Sequence, residues 1–457
     1  KNFCDAIKDH ANRNFGKRIY GITATTPQMP SAYKISLVIR EVDPTAKQIL
    51  GGPHITLVNA AARKEFKTNH ADRAIKSLKK LEDTFDVLVS GDGEKAIFQA
   101  LIKNAPKLID ADDLKSDLFL TNEILEELPF PARHLIDVKS YHYSIEGFPA
   151  LSIIAQLGCP FSCGFCGGRE SPFLRKIRTR SSESVVDEMV HLYKTYGVTG
   201  FMMYDDELNV NTSMIDLMNK IYEAQDKLGV EWRLRGFVKS QLFTNEQAKA
   251  MYRAGFRWIL SGFESGSEII LKNMNKKATQ DQNTRCMEIA KNNNLKVKAL
   301  MSIGHPGESE NTCEDTKNWL IQNEPEDFDV TIITTYPGSP YYDQAIRDSK
   351  DKDTWVYTYK PTGDKLYSKE IDYTLVEDYY KGSPQGGYKA FVHTDYLSSS
   401  QLVEIRDNIE ISVRNKLKIP FNTSLASRSY EQSMGQFNNK LPEFILRESF
   451  NINYQKT

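Results

Sequence analysis

Short apolar runs alternate with amphipathic stretches along most of this chain. Between Ala150 and about Pro340 the runs fall in "ALSIIAQLG", "TGFMMYDDE", "EWRLRGFV", "RWILSGFESGS", "NNNLKVKALMSIGHPGE" and "DFDVTIITTYPGSP". Each is short and dense in apolar residues, as buried strands are. The stretches between them read as helices. In "SSESVVDEMVHLYKTYG", Ser182 precedes the apolar pair Val185–Val186 and Gly197 closes the segment. Strands and helices in this alternation predict a partial (β/α)6 barrel over residues 150–345, with chemistry on the loops that follow the strands.

The first hundred residues alternate as well. "RIYGIT", "KQILGGPH" and "DVLVSGDGEKAIFQAL" read as strands running into Gly-containing turns, and "SAYKISLVIREV" has Ile35, Val38 and Ile39 at helical spacing. The pattern predicts a doubly wound, Rossmann-like parallel sheet over residues 1–107. Thr25, Thr26, Gly51, Gly52, Pro53, His54, Gly91, Asp92, Gly93 and Glu94 fall at the carboxyl ends of its strands. They are candidate ligand positions or simply turn residues. Residues 108–149 contain "EELPFPARHLIDVKSY", lack a sustained period, and are predicted to be a connector over the surface. Residues 346–457 are expected to be a mainly helical extension. Its clearest helix has Ser398 and Gln401 as a capping box and Leu402, Ile405, Ile409 and Val413 as one apolar stripe, better suited to core packing than to a partner.

Composition narrows the class of this α/β chain. Lys plus Arg is 59 and Asp plus Glu is 60, so charge gives no case for nucleic acid as a partner. No apolar run is long enough to span a bilayer, and no signal peptide is visible. The chain starts at Lys1 rather than Met, so the start of the natural protein is expected to be missing. Six cysteines, half of them clustered, fit a reducing cytoplasmic setting.

That cluster is "LGCPFSCGFCGGRE", with Cys159, Cys163 and Cys166, while Cys4, Cys286 and Cys313 each stand alone. Three thiolates in one short loop can wrap an iron–sulfur cluster, and a four-iron cluster so held keeps one iron open for a ligand. A zinc site with a further ligand, or buried free thiols, are the alternatives.

The motif Cys159-x-x-x-Cys163-x-Phe165-Cys166 after a barrel strand resembles the signature of the radical S-adenosylmethionine (SAM) superfamily. "MYDDELNVN", "GFESGSEIILKNMNKKAT", "MSIGHPGES" and "YPGSPYYD" resemble later strand ends of the subfamily that carries an N-terminal cobalamin-binding-type domain. "YGITATT", "GGPHIT" and "GDGE" resemble that domain, so the likeness spans roughly residues 15–345. The resemblance implies a 4Fe-4S cluster on Cys159, Cys163 and Cys166. SAM would chelate the open iron, and its reductive cleavage would give methionine and a 5′-deoxyadenosyl radical. Gly167 and Gly168 would let backbone approach SAM. Asp205, Asp206 and Glu207 would accept from its amino group or ribose. Arg235 would meet its carboxylate, Glu264 and Ser265 its ribose or amino end, and Ile303 and Gly304 its adenine. Each carboxylate could equally be a helix cap or a surface charge.

The N-terminal likeness has a gap. The D-x-H-x-x-G motif of histidine-ligated cobalamin domains is absent, and the first strand of such a domain is expected to be missing. Cobalamin, if bound, is therefore expected without a histidine ligand, His54 included. The function implied is an oxygen-sensitive radical SAM enzyme, foremost a cobalamin-dependent C-methyltransferase. A cobalamin-independent cyclase or rearranging enzyme, a methylthiotransferase and a non-catalytic iron–sulfur or SAM-binding protein are the alternatives. The expected partners are a small-molecule or peptide substrate and a reductant such as flavodoxin or ferredoxin. No catalytic acid or base is identifiable.

Overall fold

The computed structural model describes residues 18–68, 71–138, 143–380 and 388–419, together with positions 5, 8 and 9. Four parallel strands open the chain: Ile19–Thr23 (β1), Lys47–Gly51 (β2), Val87–Gly91 (β3) and Leu108–Ala111 (β4), ordered β1-β2-β3-β4. Strand residues alternate between faces. Leu50 and Leu88 therefore pack with Ile55, Val58, Leu78 and Leu81 of the helices Pro53–Thr68 and Arg73–Thr84. Ile49, Val87 and Val89 pack on the other face with Ala96 and Ala100 of helix Gly93–Leu101. The parallel sheet with helices on both faces is as expected. The stretch expected to be a surface connector instead begins with β4, and it buries Phe119 and Leu120. Four residues are too few to show a period.

Next come a short hairpin, Ser144–Ile145 (β5) with Phe148–Ile153 (β6), and a two-stranded ladder, Gln156–Leu157 (β7) with Arg178–Thr179 (β8), flanking the cysteine loop. The remaining barrel strands are Gly200–Met203 (β9), Arg233–Phe237 (β10), Phe256–Glu264 (β11), Lys296–Ile303 (β12) and Asp327–Ile332 (β13). β6 and β9 to β13 are parallel neighbours in chain order, and the sheet ends at β5 and β13 without closing. Its outer face packs on the helices through Phe201, Trp232, Phe256, Phe263, Trp319 and Phe328.

The open edge at β13 is capped by side chains. Glu410 Oε1 accepts from Val330 N at 2.9 Å, Arg406 Nε donates to Val330 O at 2.9 Å, and Arg414 Nη2 donates to Phe328 O at 2.6 Å. Tyr388 Oη accepts from Ile332 N at 3.0 Å. Arg406, Glu410 and Arg414 are all buried on one face of helix Ser399–Leu417, where Glu410 also accepts from Arg414 at 2.8 Å. The Ser398–Gln401 capping box forms, and Leu402, Ile409 and Val413 are buried, with Ile405 half-buried beside them.

The extension is not mainly helical in its described part. Ile346–Arg347 (β14), Thr354–Thr358 (β15), Lys365–Lys369 (β16) and Val392–Thr394 (β17) form an antiparallel sheet. These strands are short and interrupted by charges, so the alternation that marks a strand is masked in the sequence. No helix among the described residues is long and apolar enough to cross a membrane.

The N-terminal sheet seats on the barrel through its last two loops. Asp92, expected to lie in a ligand turn, binds Arg178 Nη1 at 2.8 and 2.6 Å and accepts from Leu120 N at 2.9 Å. Asp112 accepts from Ser171 Oγ and Phe173 N, both at 2.8 Å, and from Arg63 Nη2 at 2.7 Å.

The edge cap generates a stability prediction. Glu410→Leu removes the acceptor of Val330 N and leaves Arg406 only the Asp407 carboxylate and Arg414 only that of Asp327, and should destabilise the chain by about 1–3 kcal/mol. Glu410→Gln retains an acceptor for Val330 N and should cost clearly less. Urea unfolding of both variants checks this, and equal midpoints would refute the capping role.

Candidate functional site

The cysteine loop leaves β7 through Gly158, whose φ of +86° favours glycine. Cys159 N donates to Leu174 O at 3.0 Å and Cys166 N to Cys163 O at 3.2 Å. Gly164 bridges two distant segments: its N donates to Met274 O at 2.7 Å and its O accepts from Tyr341 N at 3.0 Å. Arg175 clamps the loop from beneath. It donates to the carbonyls of Gly168 at 3.1 Å, Cys159 at 3.4 Å, Phe161 at 2.6 Å and Gly167 at 2.9 Å. Nothing in the sequence singles this arginine out.

All three loop thiols are free, Cys163 buried, Cys159 half-buried and Cys166 open to the surface. Burial pushes the Cys159 thiol up to about 11, with Glu207, Cys166 and Asp206 adding to the rise. The Cys166 thiol is raised as well, because the protein packed around its sulfur desolvates it although the residue reaches the surface, with Arg175 opposing. Among the described residues, no three His, Cys, Asp or Glu side chains converge as a set for a single metal ion. A polynuclear cluster asks something different, since each cysteine meets its own iron. Cys286 and Cys313 are buried in the outer core, and Cys4 lies outside the described residues.

The second-strand carboxylates divide by role. Asp205 Oδ1 accepts from Ala155 N at 3.0 Å and from Gln156 N, while its Oδ2 is buried without a partner. Asp206 Oδ2 accepts from Gly158 N at 3.0 Å. Both thus brace the backbone entering the loop, which the ligand roles expected for them did not anticipate. Glu207 faces the charges of Lys276 and Lys239, and its burial raises its pKa.

Around the loop, polar groups form a buried chain. Glu264, at the end of β11 with φ of +67°, accepts from Lys276 Nζ at 3.1 Å and Ser302 Oγ at 2.7 Å. Ser302 Oγ meets His305 Nε2 at 2.9 Å, and His305 Nδ1 meets Tyr341 Oη at 3.2 Å. Burial works against ionised Glu264, yet Lys276 and Ser302 hold its pKa below the usual value. Lys239 Nζ stands 4.4 Å over the Phe161 ring, and burial lowers its pKa. Lys239, Lys276 and His305 were not foreseen; they lie far apart in sequence.

Other expected positions look elsewhere. Ser265 Oγ is 3.2 Å from Thr316 Oγ1 in a helix contact. Ile303 is fully buried in the layer between strands and helices, and a Cβ on Gly304 would meet Ile332, Val392 and Leu402. Arg235 lies inside the barrel beside Tyr143, with its Nε buried and unbonded. A Cβ on Gly167 would come 2.8 Å from Leu57, so that glycine admits the N-terminal helix rather than open space, and Gly168 (φ +71°) likewise faces Leu174.

Two neighbouring cavities lie here, and one of them reaches the loop at Phe165. One, of about 290 Å³ inside the barrel, is lined by Phe165, Glu264, Ser302 and Asp329 among others. The other, of about 550 Å³, lies between Thr25, Thr26, Pro53 and Leu57 of the N-terminal sheet and Tyr336 and Tyr380, which also line the first. His54 is absent from both linings. It is buried with Nδ1 3.1 Å from Thr26 Oγ1, and burial lowers its pKa to about 3. Gly52 packs the turn, since a Cβ there would come 2.6 Å from Thr23 Oγ1, whereas one on Gly51 would meet only Val89 O at 4.0 Å. Gly91 is pressed against Ala111 and Asp112, Gly93 begins its helix, and Glu94 is exposed in the first turn.

Residues 153–320 match the Radical SAM superfamily. The chain therefore carries a radical SAM domain, the kind of enzyme that works with a 4Fe-4S cluster and SAM. It is 28% identical to an uncharacterized methyltransferase of Pyrococcus horikoshii over 74% of this chain and 71% of that one. It is 25% identical to an anaerobic magnesium-protoporphyrin IX monomethyl ester cyclase of Cereibacter sphaeroides over 76% of this chain, but spans only 57% of that relative. Its fold is similar to that of the radical SAM methyltransferase TsrM from Kitasatospora setae, with a TM-score of 0.56 and 16% identity over 74% of this chain and 67% of that one.

Asp205 sets a pH dependence. Burial raises its pKa to about 7, against about 3.9 for an unfolded aspartate. Its contribution to stability is fully present below the lower value and is lost as pH rises through the higher one. Asp205→Asn offers the same two N–H groups an oxygen without this titration. Its unfolding midpoint should fall less than that of the parent between pH 5 and 8, by at most about 1.4 kcal/mol per pH unit. Parallel slopes would refute the assignment.

Proposed function

We propose that this chain is a radical SAM methyltransferase that uses cobalamin to methylate an unactivated carbon of a small-molecule or peptide substrate. The observation that carries the reading is a pair of adjacent cavities with shared walls, one of which reaches the cysteine loop. The interdomain cavity and the barrel cavity share Tyr336 and Tyr380, and Phe165 of the loop lines the second. Similarity to the Pyrococcus horikoshii methyltransferase supports it. On this reading the chain comprises an N-terminal unit running through β4, the barrel and the extension.

Cys159, Cys163 and Cys166 would hold the cluster: the donor set is three free thiols on one loop, fixed by Arg175. When bound, the cluster with SAM supplies a 5′-deoxyadenosyl radical able to take hydrogen from carbon, and cobalamin supplies a methyl carrier. Lys239 and Lys276 offset negative charge brought to the loop, and Glu207 remains to accept from the SAM amino group. Thr25 and Gln28 offer polar groups to a macrocycle in the interdomain cavity, which has no histidine in its lining. A structure of TsrM holds cobalamin and a [4Fe-4S] cluster. A flavodoxin or ferredoxin would supply the electron.

Anaerobic reconstitution should give about four irons per chain. Ala at Cys159, Cys163 or Cys166 should abolish iron binding, Arg175→Ala should reduce it, and Ala at Cys286 or Cys313 should leave it. Iron lost as readily from the Cys286 variant as from the Cys163 variant would refute the three-thiol site.

Reconstitution with hydroxocobalamin and gel filtration tests the second cofactor. The protein should retain a cobalamin spectrum that His54→Ala does not change, and SAM carrying a deuterated methyl group should label the product. A chain that elutes with its cluster but without cobalamin would exclude the methyltransferase in favour of a cobalamin-independent reaction such as cyclisation.

A further inference from the structure

The inward face of β10 carries two arginines in different states. Arg233, at the floor of the barrel, is paired with Glu231 at 2.5 Å and with Glu146 at 3.6 Å. Glu146 also accepts from Lys296 Nζ at 2.6 Å and Trp258 Nε1 at 3.1 Å, and these contacts close the barrel from below. Arg235 lies one step higher on the same face. It is half-buried, its Nε is enclosed and unbonded, and among the described residues no carboxylate pairs with its guanidinium. The Tyr143 hydroxyl stands beside it and cannot neutralise it. The acids of β13 are engaged elsewhere: Asp327 and Asp329 pair with Lys298 at 3.0 and 3.2 Å, and Asp327 with Arg414 at 3.2 Å. Lys298 lies within range of the Arg235 charge, so two cations meet here. A cation partly enclosed by protein without a counter-charge is costly, and a barrel that keeps one is set to receive an anion. Space for it exists. Tyr143, Phe237 and Leu300 belong to one packed layer, and Leu300 also lines the barrel cavity of about 290 Å³. Tyr204 follows Met202 on the inner face of β9, stands near Tyr143 and is 43% exposed.

We propose that Arg235 receives a carboxylate of the substrate, whose apolar or aromatic body lies against Tyr143, Tyr204 and Phe237. The inference rests on the reading of the barrel as a radical SAM active site. A guanidinium fork matches a carboxylate edge to edge through two parallel N–H···O bonds. SAM carries a carboxylate too, but on that reading it sits at the cysteine loop, where Lys239 stands over Phe161. Lys239 is buried and also lacks an ion pair among the described residues. It lies four residues beyond Arg235, roughly 13 Å along an extended chain. The two cations therefore serve two different anions, one at the level of the loop and one at the floor. A phosphate suits Arg235 less well, because its second charge would face Asp327 and Asp329. The class that fits is a small carboxylic acid with a flat, largely apolar body.

The probes 2-naphthoate and 2-naphthamide share a flat body and differ in the carboxylate. Binding of each to the anaerobically reconstituted full chain is measured by equilibrium dialysis. Naphthoate should bind about tenfold or more tightly than the amide, as expected for hydrogen bonds between charged groups. Arg235→Met should erase that preference. Arg235→Lys, which keeps the charge without the fork, should narrow it, and serves where the Met variant fails to fold. SAM affinity should be unchanged in both variants. Equal affinities in the parent chain, no binding of either probe, a preference that survives undiminished in the variants, or SAM binding weakened by the substitutions would each overturn the proposal, the last by returning Arg235 to the cofactor. Iron content of the same sample separates the two readings: iron-free protein counts against the cluster, whereas equal binding with iron present counts against Arg235 alone.

Discussion

A parallel sheet that stops before closing into a barrel must still satisfy the backbone of its last strand. Here that strand is β13, and its outward N–H and C=O groups are buried under the helix Ser399–Leu417. Three charged side chains and a tyrosine bond them in place of a further strand. The arrangement suits both sides, because Arg406 and Arg414 flank a carboxylate that would be costly to bury alone. It also leaves the barrel open where Tyr336, Tyr380 and Tyr388 line its interior.

The cysteine loop depends on both halves of the molecule. On the barrel side, Arg175 binds four of its carbonyls and the Asp205–Asp206 pair braces the residues before it. On the N-terminal side, Leu57 abuts Gly167, while Asp92 and Asp112 grip the segment that follows. The four strand-end loops of the N-terminal sheet therefore split their work. Those after β1 and β2 face the interdomain cavity, and those after β3 and β4 fasten the sheet to the barrel.

Charge around the loop is arranged to receive anions. Thiols with raised pKa values stay protonated without a metal, and binding one requires their protons to leave. Lys239 and Lys276, buried beside them, favour that loss. Glu264 keeps Lys276 charged despite burial, and is itself held in a left-handed conformation that costs on the order of 1 kcal/mol.

The sequence alone determined what is local. Alternating runs marked the barrel strands, Ser398 and Gln401 marked a helix start, and the spacing of Cys159, Cys163 and Cys166 set three thiols on one loop, because neighbours in a loop stay neighbours after folding. It could not rank Asp205, Asp206 and Glu207, since three consecutive acids at a strand end look alike until the backbone they face is known. It passed over Arg175, Lys239 and Lys276 for the same reason. Their roles depend on strand register and on segments brought together across the fold, and a side chain's periodicity tells which face it takes but not which partner it meets there. Only the tertiary structure decided which charged groups hold the scaffold and which are left for a ligand.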